Sequence, residues 1–462
     1  MCSNTHRPKH AREAMSPCRI LTVAALLALA GCGAPPPPAP IDDPPIVLAP
    51  KPVPPAPAVS VPKDQPAATV SAADKARLDD AEKNGAAVYE AQNGGYDVRI
   101  ERGSDAGAIL AGLKGTKCIV GLSLEGEKVT DDALKHLDGF DHLERLALYQ
   151  CPNVTATGFG VLPRLPKLKV LAVAECPVTD AACSAIGRCA SLEEVRLAGT
   201  KVTDAGLREL SGLAALESLA LDRSPITGTG FAAPGWAKLR DIDASGTLFL
   251  DAGLEGVAAL PALAHLNLDC PRVTDAGLHH LRRAKKLAEL SLRGTHITDF
   301  GTEALAGLAE LRVLDVSNTA VTGVGFGKFP ARSGLRKLTL DGTKFDDTGA
   351  QCLARFLHLT ALSATDCPVT DAGLSSLKEL KKLTKVELAG TKVSDGTARL
   401  LGALPELEVA AFDRTALTDA GLKALVSAPK LRFVTANGSK VTKEGAADAA
   451  KFGPPGLRVS VE

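Results

Sequence analysis

Aromatic side chains are scarce in this chain. Phe, Tyr and Trp make up only 3% of 462 residues, and there is a single Trp. Apolar residues nevertheless reach 45% of the sequence, so the interior must be packed with aliphatic side chains. This composition is typical of a solenoid, whose core lengthens with each added repeat and has no single centre. It also leaves few of the aromatic anchors that usually dominate binding interfaces.

Neither sign of charge is in excess. Lys and Arg together number 53, as do Asp and Glu, and the formal net charge is zero. A chain without net positive charge lacks the broad electrostatic attraction to phosphates on which nucleic-acid binding depends. We therefore expect no nucleic-acid partner.

Motifs for catalysis and for metal binding are also missing. The eleven cysteines contain no C-x-x-C pair, and there is no H-E-x-x-H, phosphate-binding loop or nucleophile elbow. The sequence therefore predicts no enzyme, no catalytic residue, no metal ligands and no cofactor. The spacing of Cys183 and Cys189 leaves one local disulfide open.

The chain has one prominent apolar run near its start, Ile20–Gly31, which follows several Lys and Arg residues. About a dozen residues are too few for a permanent membrane span, and the pattern predicts a signal peptide over residues 1–31. The run ends in Leu29-Ala30-Gly31-Cys32, which resembles a bacterial lipobox. That resemblance implies cleavage before Cys32 and a diacylglycerol group on its sulfur. A soluble secreted protein is the alternative.

Residues 32–70 are rich in proline, which favours an extended polyproline conformation and prevents a packed core. We predict a disordered tether with a reach on the order of 100 Å. Residues 71–117 then predict an N-terminal cap, with a helix over Ala72–Glu90, a strand over Tyr96–Ile100 and a second helix over Ala106–Leu113. A final strand is expected within Gly456–Val461.

Residues 118–462 repeat a motif of the form V-T-D-A-G-L about fourteen times. Most steps are 24 residues long, and the motif begins at Val129, Val154, Val178, Val202, Ile226, Phe249, Val273, Ile297, Val321, Phe345, Val369, Val393, Leu417 and Val441. Within one unit, Val195 and Leu197 alternate with polar residues as in a strand. Leu207 and Leu210 then recur at helical spacing, after a Thr or Asp that caps the helix.

This L-x-x-L-x-L spacing resembles leucine-rich repeats, in the cysteine-containing subclass known from F-box partners and large bacterial families. The resemblance covers about residues 98–461, and no F-box-like segment accompanies it. It implies an α/β solenoid, or horseshoe, with a parallel sheet on its concave side and helices on its convex side. The position of the usual Asn is filled mostly by small donors, whose hydroxyl or thiol can bond to carbonyls of the turn. Its residues are Glu127, Cys151, Cys176, Thr200, Ser224, Thr247, Pro271, Thr295, Thr319, Thr343, Cys367, Thr391, Thr415 and Ser439.

Three repeats replace A-G-L by x-G-F, at Phe159, Phe231 and Phe326, and a proline follows each. Proline disfavours a regular helix. We expect a short or irregular convex segment in these repeats, where the Phe side chain fills the space of a helix.

Strand residues that face the concave side are the candidate binding surface. They are Arg145, Tyr149, Arg196, Asp222, Asp243, His265, Asn267, Asp269, Arg293, Asp315 and Asp341. The carboxylates of Asp222, Asp243 and Asp269 are predicted to form a column, because adjacent strands lie about 4.8 Å apart. That column suits a divalent cation or a basic ligand segment, and a merely solvated polar face is the simpler alternative.

These features together favour a membrane-tethered protein-interaction scaffold of the bacterial cell envelope. Its predicted partner is an unidentified protein or envelope polymer, and its lipid anchor would hold a monomer at the membrane. A purely structural envelope spacer is the second hypothesis, and a metal-dependent ligand-binding protein is the third.

Overall fold

The computed structural model describes residues 70–91 and 94–462. The predicted signal peptide, the predicted lipidation site Cys32 and almost all of the predicted proline-rich linker lie outside these residues. Within them, residues from Val70 onward belong to one compact unit. No helix in the described part of the chain is both long and apolar enough to cross a membrane.

The repeats form one sheet, to which every described strand belongs. The first strand is antiparallel to the second, and each later strand pairs in parallel with the next. The strands are β1 Ala86–Glu90, β2 Tyr96–Ile100, β3 Ile119–Glu125, β4 Arg145–Tyr149, β5 Val170–Ala174, β6 Glu194–Arg196, β7 Ser218–Ala220, β8 Asp241–Asp243, β9 His265–Asn267, β10 Glu289–Ser291, β11 Val313–Asp315, β12 Lys337–Thr339, β13 Ala361–Ser363, β14 Lys385–Glu387, β15 Val409–Ala411, β16 Phe433–Thr435 and β17 Arg458–Ser460.

Short helices return the chain from one strand to the next on the other side of the stack. The α-helices are α1 Ala72–Lys83, α2 Ala106–Leu113, α3 Asp131–Lys135, α4 Asp180–Ile186, α5 Asp204–Glu209, α6 Gly253–Ala258, α7 Asp275–Leu281, α8 Asp299–Ala304, α9 Asp347–Ala350, α10 Asp395–Gly402, α11 Asp419–Leu425 and α12 Lys443–Phe452. Segments of 3₁₀-helix cover Gly158–Arg164, Leu210–Gly212, Thr229–Ala232, Leu305–Gly307, Val324–Lys328, Gln351–Arg355 and Gly373–Glu379. The open α/β leucine-rich repeat solenoid predicted from the sequence is confirmed.

Aliphatic side chains fill the space between the sheet and the helices. The central residue of each strand from β6 to β16 is buried, and strand pairing places Leu219, Ile242 and Leu266 in register. These three side chains are at most 3% exposed. No repeat buries its apolar face alone, so each stabilises its neighbours by removing this surface from water.

The predicted hydroxyl and thiol positions lie at the turn after each strand. The hydroxyls of Thr200 and Thr295 donate to the carbonyls of the residues three positions earlier, at 2.8 and 2.6 Å. Two assignments were wrong, because Glu127 and Pro271 are exposed. Cys270 occupies the position given to Pro271, and its thiol donates to Ala244 O at 2.9 Å.

The three x-G-F repeats have 3₁₀ segments in place of α-helices, as predicted. Phe159, Phe231 and Phe326 are all buried under these segments. The same conformation also occurs over Gly373–Glu379, where the A-G-L motif is intact. The motif alone therefore does not determine which repeats form an α-helix.

The N-terminal cap differs from the prediction over residues 84–90. Ser71 caps α1 as expected, and its side chain accepts from Asp74 N at 3.0 Å. The helix ends at Lys83, because Gly85 takes a φ of +95°, a conformation that favours glycine. Residues 86–90 then form β1 instead of continuing the helix. The predicted Tyr96–Ile100 strand and the Ala106–Leu113 helix are confirmed.

Candidate functional site

The concave face consists of three rows of side chains, each row contributed by successive strands. Strand pairing fixes the first two rows, and the third lies two residues further along each repeat. Between β7 and β12 the first row is Ser218, Asp241, His265, Glu289, Val313 and Lys337. The second row is Ala220, Asp243, Asn267, Ser291, Asp315 and Thr339. The third row is Asp222, Ser245, Asp269, Arg293, Ser317 and Asp341, of which Ser317 is buried.

A shallow depression of about 380 Å³ lies over the first two rows from β7 to β12. Its lining includes Asp243, Asn267, Asp315, Glu289 and Lys337. The depression therefore presents both hydrogen-bond donors and hydrogen-bond acceptors. Its surface is formed by residues that are far apart in sequence.

The second-row carboxylates are held by their own backbone. Asp243 and Asp315 each accept a hydrogen bond from the N–H two residues later, at 2.9 Å. The Asn267 amide oxygen accepts from Asp269 N at 3.2 Å in the same way. These bonds orient the side chains before any ligand arrives, which lowers the entropic cost of binding.

Two of the third-row aspartates, Asp269 and Asp341, are hydrogen-bonded instead to the following repeat. Asp341 accepts from the Ser363 hydroxyl at 2.6 Å and from Thr365 N at 2.8 Å. Asp269 accepts from the Ser291 hydroxyl and from Arg293 N in the same arrangement. Each of these carboxylates thus joins two neighbouring repeats at the edge of the concave face.

Acidic side chains outnumber basic side chains in the middle of the concave face. Burial and the nearby Asp243 carboxylate raise the pKa of Asp222 above its usual value, although the Arg223 side chain opposes this. The pKa of Asp269 is raised mainly by burial, with smaller contributions from Asp315 and Asp243. The ionised forms of Asp222 and Asp269 are thus disfavoured, and a cationic group placed beside them would relieve this cost.

Several predicted residues are hydrogen-bonded to carboxylates within the face. Arg145 contacts Asp97 at 2.8 Å, Arg196 pairs with Glu194, and the His265 ring nitrogen Nδ1 pairs with Asp241. Tyr149 is half-buried at the end of β4. Arg293 is exposed, and it forms no ion pair with another residue of the described chain.

The eleven predicted residues lie within strands β4 to β12 or two residues after the end of one of these strands, and they do not converge on one site. Asp222, Asp243, His265, Asn267, Asp269, Arg293 and Asp315 cluster around the depression. Arg145 and Asp341 lie eight strands apart, which corresponds to on the order of 40 Å along the sheet.

A metal-binding arrangement is not present among residues 70–91 and 94–462. No group of three or more His, Cys, Asp or Glu side chains there is placed to hold a metal ion. The Asp222, Asp243 and Asp269 carboxylates are neighbours, but Asp243 and Asp269 already accept backbone hydrogen bonds. The column therefore favours a cationic group on a ligand over a bound divalent ion.

Sequence reasoning missed a set of ion pairs along one border of the concave face. Arg223 contacts Glu175 at 2.6 Å and Arg414 contacts Asp366 at 3.0 Å, and each pair spans two repeats. In each case the intervening repeat has glycine in the corresponding position, Gly199 or Gly390. A Cβ atom on Gly390 would lie 2.0 Å from the Asp366 carboxylate. The alternation of glycine and charged residues at this position was the available signal.

Comparisons with known proteins agree with this architecture. A family model described as "Leucine Rich repeat" matches residues 188–211. An internalin from Listeria monocytogenes is similar in structure, with a TM-score of 0.55 at 19% identity, covering 72% of this chain and 89% of the internalin. A leucine-rich repeat protein from Leptospira interrogans has a TM-score of 0.53 at 15% identity, covering 76% of this chain and 91% of that protein.

A comparison with curated protein sequences gave no match. At these identities the structural likeness shows the fold and not the activity. The 24-residue motif, the single parallel sheet and the two similar structures together show that the chain has the leucine-rich repeat fold.

Proposed function

We propose that this protein is a membrane-tethered interaction scaffold of the bacterial cell envelope, and that its concave face binds a protein partner. The observation that carries the proposal is the chemistry of the first concave row. Its members change from Ser218 and Asp241 through His265 and Glu289 to Lys337, whereas the buried central residues of the same strands stay aliphatic. Packing of the repeats does not require this variation. The variation gives successive repeats different side chains in the first row.

The charge of the concave face supports a partner with Lys or Arg side chains. The raised pKa values of Asp222 and Asp269 reflect carboxylates that are partly desolvated beside other carboxylates. A cationic side chain placed over them would form charge-assisted hydrogen bonds with groups that are already oriented. Exposed Arg293 at the border would restrict the orientation of such a partner.

The membrane tether rests on the residues that precede the solenoid. A charged start, an apolar run and Leu29-Ala30-Gly31-Cys32 form the pattern that resembles a lipobox. A diacylglycerol group on Cys32 together with an N-terminal acyl chain would give two lipid signals, which hold a protein stably to a bilayer. The proline-rich segment would then let the repeats reach partners away from the surface.

Crosslinking in cells of the source organism, followed by quantitative mass spectrometry, tests the proposal. The test variant combines Glu289→Lys with Arg293→Glu, which reverses two exposed charges of the concave face. The matched control reverses Glu379→Lys, an exposed residue on the opposite side of the stack. We expect a partner that is captured by the wild type and the control and is at least tenfold depleted with the concave variant.

Circular dichroism must show that both variants are folded, so that a loss of capture reports on the surface. Equal capture by all three proteins would contradict binding through the concave face. Absence of any partner for the wild type would favour the structural spacer instead.

A further inference from the structure

A column of small side chains runs through the interior at the turn after each strand. Several consecutive members of this column contact each other through their γ atoms. The Thr200 and Ser224 hydroxyl oxygens are 3.4 Å apart, and Thr247 Oγ1 lies 3.3 Å from Cys270 Sγ. The stacking of the repeats therefore brings neighbouring members of the column into contact at these positions.

Cys151 and Cys176 occupy consecutive positions of this column, and no other two cysteines in residues 70–91 and 94–462 do so. The Cys151 backbone N–H donates to Cys176 Sγ at 3.3 Å. Both thiols are directed to the carbonyls of their own turns, Tyr149 O and Ala174 O, each at 3.3 Å. The two sulfur atoms thus lie side by side in the interior.

We propose that Cys151 and Cys176 form a disulfide between consecutive rungs when the chain folds under oxidising conditions. Strand pairing makes Tyr149 and Ala174 partners, two residues before each cysteine. Neighbouring strands lie about 4.8 Å apart, within the range of roughly 4.4 to 6.8 Å that Cα atoms span across a disulfide. Formation of the disulfide requires the two sulfur atoms to approach to about 2.05 Å.

The oxidant would be a disulfide donor, such as a small-molecule disulfide or an oxidoreductase in its disulfide form. One cysteine thiolate attacks the donor, forms a mixed disulfide and releases the first donor thiolate. The second cysteine thiolate then attacks the protein sulfur of the mixed disulfide and releases the second donor thiolate. Two protons pass from the protein thiols to the released donor thiols, and the donor takes up two electrons.

Burial determines when this reaction occurs. Cys151 is 0% exposed and Cys176 is 2% exposed, so a donor cannot reach either sulfur in the closed stack. The hydrogen bond with Cys176, together with burial, also raises the pKa of Cys151, which keeps that thiol protonated. Oxidation would therefore occur during folding, before the two repeats that contain Cys151 and Cys176 pack together. The disulfide, once formed, would be buried and protected from reductants.

The remaining cysteines provide controls. Cys183 lies in α4, outside the column, and burial raises its pKa to about 12. Cys270 and Cys367 have threonine neighbours in the column, so they lack a sulfur partner there. Threonine also fills the same position in other repeats, which makes Cys151→Thr and Cys176→Thr substitutions that the fold already accommodates.

The test is to refold the full chain from denaturant in oxidised and reduced glutathione, block free thiols with iodoacetamide and digest with trypsin. Cleavage after Lys and Arg puts Cys151 in peptide 146–164, and both Cys176 and Cys183 in peptide 170–188. We expect these peptides to be linked in the wild type and in Cys183→Ala. The link should be lost in Cys151→Thr and in Cys176→Thr.

A thermal melt gives a second readout, because a disulfide that closes a loop of this length stabilises the folded state. The oxidised wild type is expected to melt roughly 5 °C above the reduced protein, and Cys151→Thr should show no such difference. Alkylation of both Cys151 and Cys176 after oxidative refolding, or loss of the link in Cys183→Ala, would overturn the proposal. Because the experiment supplies its own oxidant, its result is independent of the proposed export.

Discussion

The Asp275 carboxylate accepts two hydrogen bonds from Thr298 of the following repeat, one from the backbone N–H at 2.7 Å and one from the hydroxyl at 2.6 Å. The same bonds join Asp180 to Thr203 and Asp395 to Thr418. Thr298 also caps its own helix, where its hydroxyl accepts from Phe300 N at 3.3 Å. The Thr-Asp pair of the motif therefore links neighbouring repeats in addition to capping helices.

Replacement of Asp275 should weaken the stack at this junction. Asp275→Ala removes two charge-assisted hydrogen bonds, and we expect a loss of about 2 kcal/mol in the free energy of unfolding. Urea denaturation followed by circular dichroism measures this loss. The control is Asp448→Ala at an exposed position of α12, which should change the free energy by less than about 0.5 kcal/mol. Equal midpoints for both variants would rule out a stabilising role for the Asp275–Thr298 contact.

The glycine of the motif is explained by the same junction. A Cβ atom on Gly301 would lie 2.4 Å from Asp275 Oδ1 and 2.9 Å from a methyl group of Leu278. We expect Gly301→Ala to cost roughly 1–3 kcal/mol by overpacking. Gly112→Ala is the matched control, because a Cβ on this helical glycine meets nothing within 4 Å. It should stabilise the protein by roughly 0.5–1 kcal/mol.

A double variant separates this clash from other effects of Gly301→Ala. If the Asp275 carboxylate is the obstacle, Gly301→Ala should cost less when Asp275 is already alanine. Additive losses in the double variant would show that the glycine is required for another reason.

The sequence predicted the parts of this structure that depend on periodic burial. Leu219 and Leu266 could be assigned to the core because aliphatic residues recur every 24 positions, and His265 and Asp243 to the concave face because strand residues alternate. The Asp275–Thr298 contact was not predicted, because the motif of a single repeat does not show which of its side chains form hydrogen bonds with the neighbouring repeat. Cys270 was missed because the turns differ in length: Cys270 lies three positions before the motif residue Val273, whereas Thr247 lies two positions before Phe249.

The start of the chain supports a prediction about localisation. If Cys32 carries a lipid, Cys32→Ser should move most of the protein from the membrane fraction to the soluble fraction. Cys18→Ser is the matched control, since it removes a cysteine from the same segment outside Leu29–Cys32. Immunoblots of fractionated cells provide the measurement. Equal membrane association of both variants would exclude lipidation at Cys32 as the anchor.

Two aspartates should respond to pH in opposite directions. Burial and Asp243 raise the pKa of Asp222 in the folded state, so its ionisation opposes folding above its unfolded pKa. Asp222→Asn should therefore raise the Tm at pH 7, and the gain should disappear near pH 3. For Asp204, burial raises the pKa, but hydrogen bonds from Thr227 and Gly230 outweigh it and the net pKa is lowered. Its stabilisation is present at pH 7 and is lost as the pH falls through the folded pKa, so Asp204→Asn should lower the Tm at pH 7 and have less effect near pH 3. Differential scanning calorimetry at the two pH values distinguishes these signs, and a lower Tm for Asp222→Asn at pH 7 would show that its carboxylate is not destabilising.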